Sequence, residues 1–371
     1  MASLQVRKYF ATASRTLLNV DFVTTRLMSA CSSEISTKYL RYQEYGEPVK
    51  VLSINTEKLA KPNDNQVTVK WILSPVNPAD INTIQGKYAS KPPLPAIPGN
   101  EGVGEILQVG AGVKNFQLGD KVVPNSGHIG TWRTHAVYDA QELLKIPKEL
   151  GNLEASMLNV NPCTAYRMLK DFECLKPGDS VLQNGGNSAV GQNVIQLCKV
   201  WGFKCISVVR DRPTISKLKD ELINLGATEV LTEEEIRTTS IFKNELPRPK
   251  LALNCIGGKS ALELLRHLDK NGTIVTYGGM SREPVTVPTS ALIFKNITVK
   301  GFWATAWTNS NSDSKERREM YDELAQLLIS KNLKPPAAKI VPFNKYQEAV
   351  MNTLSIVGKT GLKYILDMTK E

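Results

Sequence analysis

The sequence predicts an α/β protein in two parts, a small β-rich domain followed by a doubly wound parallel sheet. Three observations carry that prediction. From Tyr39 to about Val160, short β-rich runs are broken by Gly, Pro, Asn and Asp. From Ser180 to Phe302, strand and helix signals alternate, as parallel crossover units do. At the head of this second part, a glycine turn separates the first strand from an amphipathic helix.

The chain has 371 residues, enough for two domains, and its 42% hydrophobic and 22% charged content is that of an ordinary globular protein. No apolar run approaches the roughly 18 to 20 residues that a membrane-spanning helix needs. The first 35 residues stand apart, with Arg7, Lys8, Arg15 and Arg26 among many Ser, Thr and Ala and only Asp21 and Glu34 as acids. That composition resembles a mitochondrial transit peptide, with a disordered basic tail as the alternative.

In the β-rich part the runs are VKVLSI, VTVKWIL, GVGEILQVG, DKVVPN and THAVYD, which suggest a barrel-like, largely antiparallel core. Two loops interrupt them. In Ser74 to Tyr88, Asn77-Pro78 starts a turn, Asp80 is placed to cap a short helix and Gly86 allows a reversal before Tyr88. In the second loop, Trp132 reads as packing. Asn161-Pro162 then opens a helix to about Leu169 that serves as a hinge.

Strands are expected near 180–184, 205–209, 228–231, 251–254, 273–277 and 298–302, with helices at 189–201, 214–225 and 259–269. The first helix places Val190, Val194, Leu197, Cys198 and Trp201 on one face and stops at Gly202. Its preceding turn holds Gly185, Gly186 and Gly191 with the small Ser188 and Ala189, which would let a pyrophosphate approach the helix's positive end. A helix at 320–329 and mixed signals from 340 to 368 close the chain. These last signals are too few for a third core and are expected to return to the first domain.

The formal charge is +10. Without residues 1–35, which carry four basic and two acidic residues, it is +8. A basic surface suits a phosphate-bearing cofactor, a coenzyme A thioester or an acidic carrier protein. No basic run interleaved with aromatics points to nucleic acid. The six cysteines form no C-x-x-C pair, and the histidines His128, His135 and His267 lack metal-ligand spacing, so no metal site is expected.

The ordered blocks NPADINTIQGKY, GNEGVG, GTWRT, NPCTAYRML, QNGGNSAVGQ, VVRDR, TYGGM and GFW resemble those of the mitochondrial trans-2-enoyl-thioester reductases of the medium-chain dehydrogenase/reductase superfamily. The resemblance runs from about residue 40 to the C-terminus. It implies a GroES-like catalytic domain at 36–161 after the transit peptide (1–35), a Rossmann NADPH-binding domain at 162–311, and a segment, 312–371, returning to the catalytic domain. It also implies a homodimer of the mitochondrial matrix that reduces enoyl-CoA or enoyl-carrier-protein thioesters in fatty acid synthesis. Zinc-dependent relatives carry a histidine in a G-H-E motif, where this chain has Gly99-Asn100-Glu101.

The reaction needs hydride at C3, stabilisation of the charge reaching the thioester oxygen, and a proton at C2. By resemblance Tyr88 gives that proton; a phenol is protonated at neutral pH and can donate at short range. Resemblance also places Asn161 by the nicotinamide, and Asn187, Ser188, Ala189 and Val190 against the pyrophosphate. Arg210, Asp211 and Arg212 surround the adenosine ribose, where two guanidiniums select NADPH by its 2′-phosphate. Tyr277, Gly278, Gly279 and Met280, with Phe302, Trp303 and Ala304, flank the nicotinamide and acyl pocket, and Lys363 matches a cofactor-contacting lysine. Two other functions remain open from the residues: a zinc-free NADPH quinone oxidoreductase, which needs no such acid, and a non-catalytic NADPH- or RNA-binding protein.

Overall fold

A computed structural model describes residues 34–355 and 362–370, so all but the last two residues of the stretch read as a transit peptide lie outside the described residues. The first part contributes strands β1 (Ser36–Arg41), β2 (Ser53–Lys58), β3 (Gln66–Pro75), β4 (Val103–Val109), β5 (Lys121–Pro124), β6 (His135–Asp139) and β7 (Leu143–Lys145). The second contributes β8 (Ser180–Asn184), β9 (Lys204–Val209), β10 (Glu229–Thr232), β11 (Leu251–Asn254), β12 (Thr273–Thr276) and β13 (Thr298–Gly301). Two more, β14 (Ala338–Pro342) and β15 (Lys363–Asp367), close the chain.

Strands β3, β4, β5 and β7 form a mostly antiparallel sheet in the order β14-β15-β3-β4-β5-β7, with β6 also on β3. The C-terminal strands thus complete the first sheet, β15 pairing antiparallel with β3. Two tryptophans anchor its core, each with its indole N–H satisfied: Trp71 donates to the Tyr138 hydroxyl (3.0 Å) and Trp132 to the Pro75 carbonyl (3.3 Å). The run at 49–54 is not all strand. Residues Pro48–Val51 form one helical turn, because Pro48 stands at a first helical position where its fixed φ suits a helix and its missing N–H costs nothing.

Strands β8 to β13 form a parallel sheet in the order β10-β9-β8-β11-β12-β13. Chain order reverses between β8 and β11, and that switch point opens a crevice at the strands' carboxyl ends. The helix Ala189–Trp201 spans the expected residues, with Val194, Leu197 and Cys198 wholly buried and Gly202 ending it at φ 76°. It packs beside the helix Asn161–Asp171, whose Tyr166 meets Trp201 edge-on at 5.2 Å. Helices at Thr289–Lys295 and Ala304–Ser310 were not expected from the pattern, since their apolar residues mark no single buried stripe. No described helix is long and apolar enough to cross a membrane.

Candidate active site

A cavity of about 670 Å³ lies between the two sheets' loops at the switch point. Its floor is the glycine turn after β8. Gly185 takes φ +64°, and a Cβ there would fall 2.5 Å from the Cys255 sulfur; one on Gly186 would fall 2.6 Å from the Ser207 Cβ. The next helix starts at Ser188, whose Oγ accepts from the Gly191 N–H (3.1 Å), satisfying one of the four orphan donors of that end. Gln183 and Gln192 brace the turn through the Gly191 and Asn187 carbonyls. A negatively charged diphosphate fits such an end by close backbone approach and by the helix dipole.

Asn187, Ser188, Ala189 and Val190 all line the cavity, as do Asn161, Tyr277, Gly278, Gly279, Met280, Phe302, Trp303, Ala304 and Lys363. Arg210 and Arg212 line it beyond the end of β9, with Arg210 exposed to solvent. Asp211 does not line it: this residue is exposed and its carboxylate accepts from the Arg212 backbone N–H. Asn161 is only 6% exposed, yet its amide Nδ2 has no acceptor among the described residues, which suits it to a bound carbonyl or hydroxyl group. Burial holds the Tyr277 phenol well above its ordinary pKa, so it stays protonated.

Across the cavity stands Tyr88. The helix Pro78–Ile84 ends at Gln85, Gly86 reverses the chain at φ +69°, and the Tyr88 N–H returns to the Asn82 carbonyl. The Tyr88 hydroxyl accepts a hydrogen bond from Trp303 Nε1 (2.9 Å), and the rings meet nearly perpendicular with centroids 6.1 Å apart. Tyr88 belongs to a loop of the first part and Trp303 follows β13 of the second, so this bond closes the chamber between them.

Several residues of the site carry no glycine or arginine signal. Asn184 and Asn254 end β8 and β11, and Asn184 Nδ2 donates to Asn254 Oδ1 (2.8 Å). Asn184 Oδ1 in turn accepts from the Cys255 N–H, and Asn254 Nδ2 donates to Thr276, so three strand ends are tied together at the crevice. A buried polar residue closing each of two apolar strands just before a glycine pair, in QNGG and LNCIGG, is the signal that marks them. A second set, Asn77, Asp80 and Glu101, is almost fully buried beside the same cavity.

Comparison with known proteins places both parts. Residues 63–148 match the alcohol dehydrogenase GroES-like domain and residues 189–326 match the zinc-binding dehydrogenase domain. The mitochondrial enoyl-acyl-carrier-protein reductase of Rattus norvegicus is 48% identical over 348 residues, 93% of this chain and 92% of that one. Among solved structures, a complex of Etr1p with NADP and crotonyl-CoA superposes with a TM-score of 0.84 at 35% identity, covering 90% of this chain and all of that one. The Etr1p/Etr2p heterodimer of the mitochondrial 2-enoyl thioester reductase from Candida tropicalis matches with a TM-score of 0.83 at 35% identity, over the same shares of the two chains.

Proposed function

The chain belongs to the family of mitochondrial enoyl-acyl-carrier-protein reductases, and we propose that Tyr88 is the group that protonates its substrate. The protein is an NADPH-dependent reductase of trans-2-enoyl thioesters that works in mitochondrial fatty acid synthesis. The glycine turn and the N-terminal end of the helix Ala189–Trp201 fit the pyrophosphate of that cofactor. Arg210 and Arg212 fit its 2′-phosphate, and Asn161 Nδ2, without an acceptor among the described residues, fits a polar group at its nicotinamide end. When bound, the cofactor supplies hydride to C3 of the acyl double bond.

The residues of the chain provide the rest. The Tyr88 hydroxyl holds the proton destined for C2. As that proton leaves, Trp303 Nε1 faces the oxygen that gains negative charge, already placed at 2.9 Å before reaction. Both groups line a cavity whose walls come from the two parts of the chain, so water is displaced when a substrate fills it. The hydrogen bond from Trp303 to Tyr88 is the single observation that carries this reading. Oxidation of NADPH measured side by side with crotonyl-CoA and with quinones tests it, with turnover expected on the thioester. Turnover on quinones alone would favour the metal-free quinone oxidoreductase reading, and salt-sensitive RNA binding with negligible turnover on either would favour the non-catalytic one.

A homodimer belongs to the same proposal. Strand β13 is an edge of the parallel sheet and all four of its residues are exposed, while Leu292, Ile293 and Phe294 beside it are 47%, 66% and 73% exposed. An open edge flanked by apolar side chains is suited to pair with its own copy across a two-fold axis. A sedimentation mass of one chain would rule this out. Enoyl-CoA or an enoyl carrier protein then supplies the thioester, and activity with each handle separates them.

A further inference from the structure

Two buried carboxylates and one half-buried ammonium meet at the cavity wall, and their charges do not cancel. Asp80 and Glu101 are 1% and 0% exposed. Asp80 Oδ2 accepts from the Asn77 N–H (2.8 Å), and its Oδ1 accepts from the backbone and side-chain N–H groups of Asn100 (3.2 and 2.7 Å). Glu101 Oε1 accepts from the Val160 N–H (2.8 Å) and its Oε2 from Asn77 Nδ2 (2.9 Å). Lys363 Nζ donates to Asn77 Oδ1. Every carboxylate oxygen therefore faces an N–H donor. Donor-only surroundings favour the ionised form of a carboxylate, and with both ionised beside one ammonium the trio carries a net charge of −1. Burial pushes both carboxylates above their ordinary range and the lysine below its own, the signs expected where removal from water leaves charge poorly offset.

The trio adjoins the reaction end of the chamber. Asn77, Asp80, Asn100 and Lys363 line the same cavity as Tyr88 and Asn161, and Glu101 holds the backbone of the residue just before Asn161. Glu101 itself does not line the cavity. A fixed charge in such a low-dielectric wall acts on a neighbouring ligand charge with little screening. The oxidised nicotinamide ring is positively charged, and the reduced ring is neutral.

We propose that Glu101 sets the preference of this site between the two redox forms of its cofactor, through a buried net negative charge that favours the oxidised form. This rests on the reading that the nicotinamide lies at the end marked by Asn161 and Tyr88. The full chain is titrated separately with NADP+ and NADPH by calorimetry, in the wild type and in Glu101→Gln. The variant keeps the size of the side chain and removes its charge without touching the cavity lining. NADP+ binding is expected to weaken relative to NADPH by roughly fivefold or more, the order of a single charge coupling. A ratio that stays unchanged, with both affinities held or both falling by one factor, overturns the proposal.

Lys363→Met provides a second and opposite arm, since it makes the trio more negative and shifts the ratio toward NADP+. It decides the matter alone if Glu101→Gln does not fold, and an unchanged ratio or a shift toward NADPH overturns the proposal there too. Failure of the underlying reading is seen elsewhere, as undiminished turnover in Tyr88→Phe, which the ratio of affinities does not report.

Discussion

Replacing Gly191 by alanine isolates the glycine turn's part in holding the cofactor. A Cβ on Gly191 would lie 2.6 Å from the carbonyl oxygens of both Gly185 and Gly186 and 2.8 Å from the Gly186 carbonyl carbon. To reach even 3.0 Å from those oxygens, the turn must recede from the helix by at least 0.4 Å. All three obstructing atoms are backbone, so no side-chain rotation relieves the overlap. The recession pulls against two bonds that set the turn, Ser188 N–H to the Gly185 carbonyl and Gly191 N–H to Ser188 Oγ. Overpacking of this kind costs about 1–3 kcal/mol, and alanine's better helix propensity returns up to about 1 kcal/mol of it to the fold. Stability should thus fall by no more than about 3 kcal/mol, a few degrees in Tm for a chain of this size. The displaced turn, in contrast, is the surface the pyrophosphate would touch, and the NADPH Kd should rise about tenfold or more. Fluorescence titration with NADPH and a thermal melt on one preparation read both quantities. An affinity within about twofold of the wild type in a folded variant would refute the idea that this turn cradles the cofactor.

Other consequences follow from the same structure. Trp303→Phe removes the N–H that reaches the Tyr88 hydroxyl but keeps a ring against it, and should lower kcat about fivefold, one neutral hydrogen bond's worth, without changing the NADPH Kd; an unchanged kcat would contradict that role. Changing Arg210 and Arg212 together to alanine should weaken NADPH about tenfold or more and leave NADH nearly untouched, and equal losses for the two cofactors would show that neither guanidinium reads the 2′-phosphate. Burial lowers the pKa of His128, His135 and His267 below the ordinary 6.5. Groups depressed in the folded state contribute stability that is complete above the unfolded pKa and is lost as pH falls through the folded one, so Tm should hold steady above about pH 7 and decline toward about pH 5. A Tm that rises on acidification across that window would contradict this.

Local features of the site were legible in the sequence wherever one residue type serves one backbone need. Gly185 and Gly191 signal close approach, Ser188 a helix start and Gly202 its end, so the helix at 189–201 was readable to the residue. Arg210 and Arg212 were readable because a parallel strand puts its next residues at the crevice. The strand read at 49–54 misled because Val49 and Val51 favour a pleat, while Pro48 decides for a helical turn. What pattern alone does not show is contact over distance. Tyr88 and Trp303 are 215 positions apart, and only the docking of the two parts joins them. The same holds for Lys363 beside Asn77, which are 286 positions apart, and for the role of Glu101, whose partners come from two other segments.

The role of Tyr88 is the claim on which the mechanism depends. Tyr88→Phe keeps the ring beside Trp303 and deletes only the hydroxyl, so turnover of NADPH with crotonyl-CoA measures the proton it carries. A kcat lower by roughly 10²–10⁴ is expected, the usual span for a lost general acid, with the NADPH Kd held. Turnover equal to the wild type, in a variant that still binds NADPH, would contradict it.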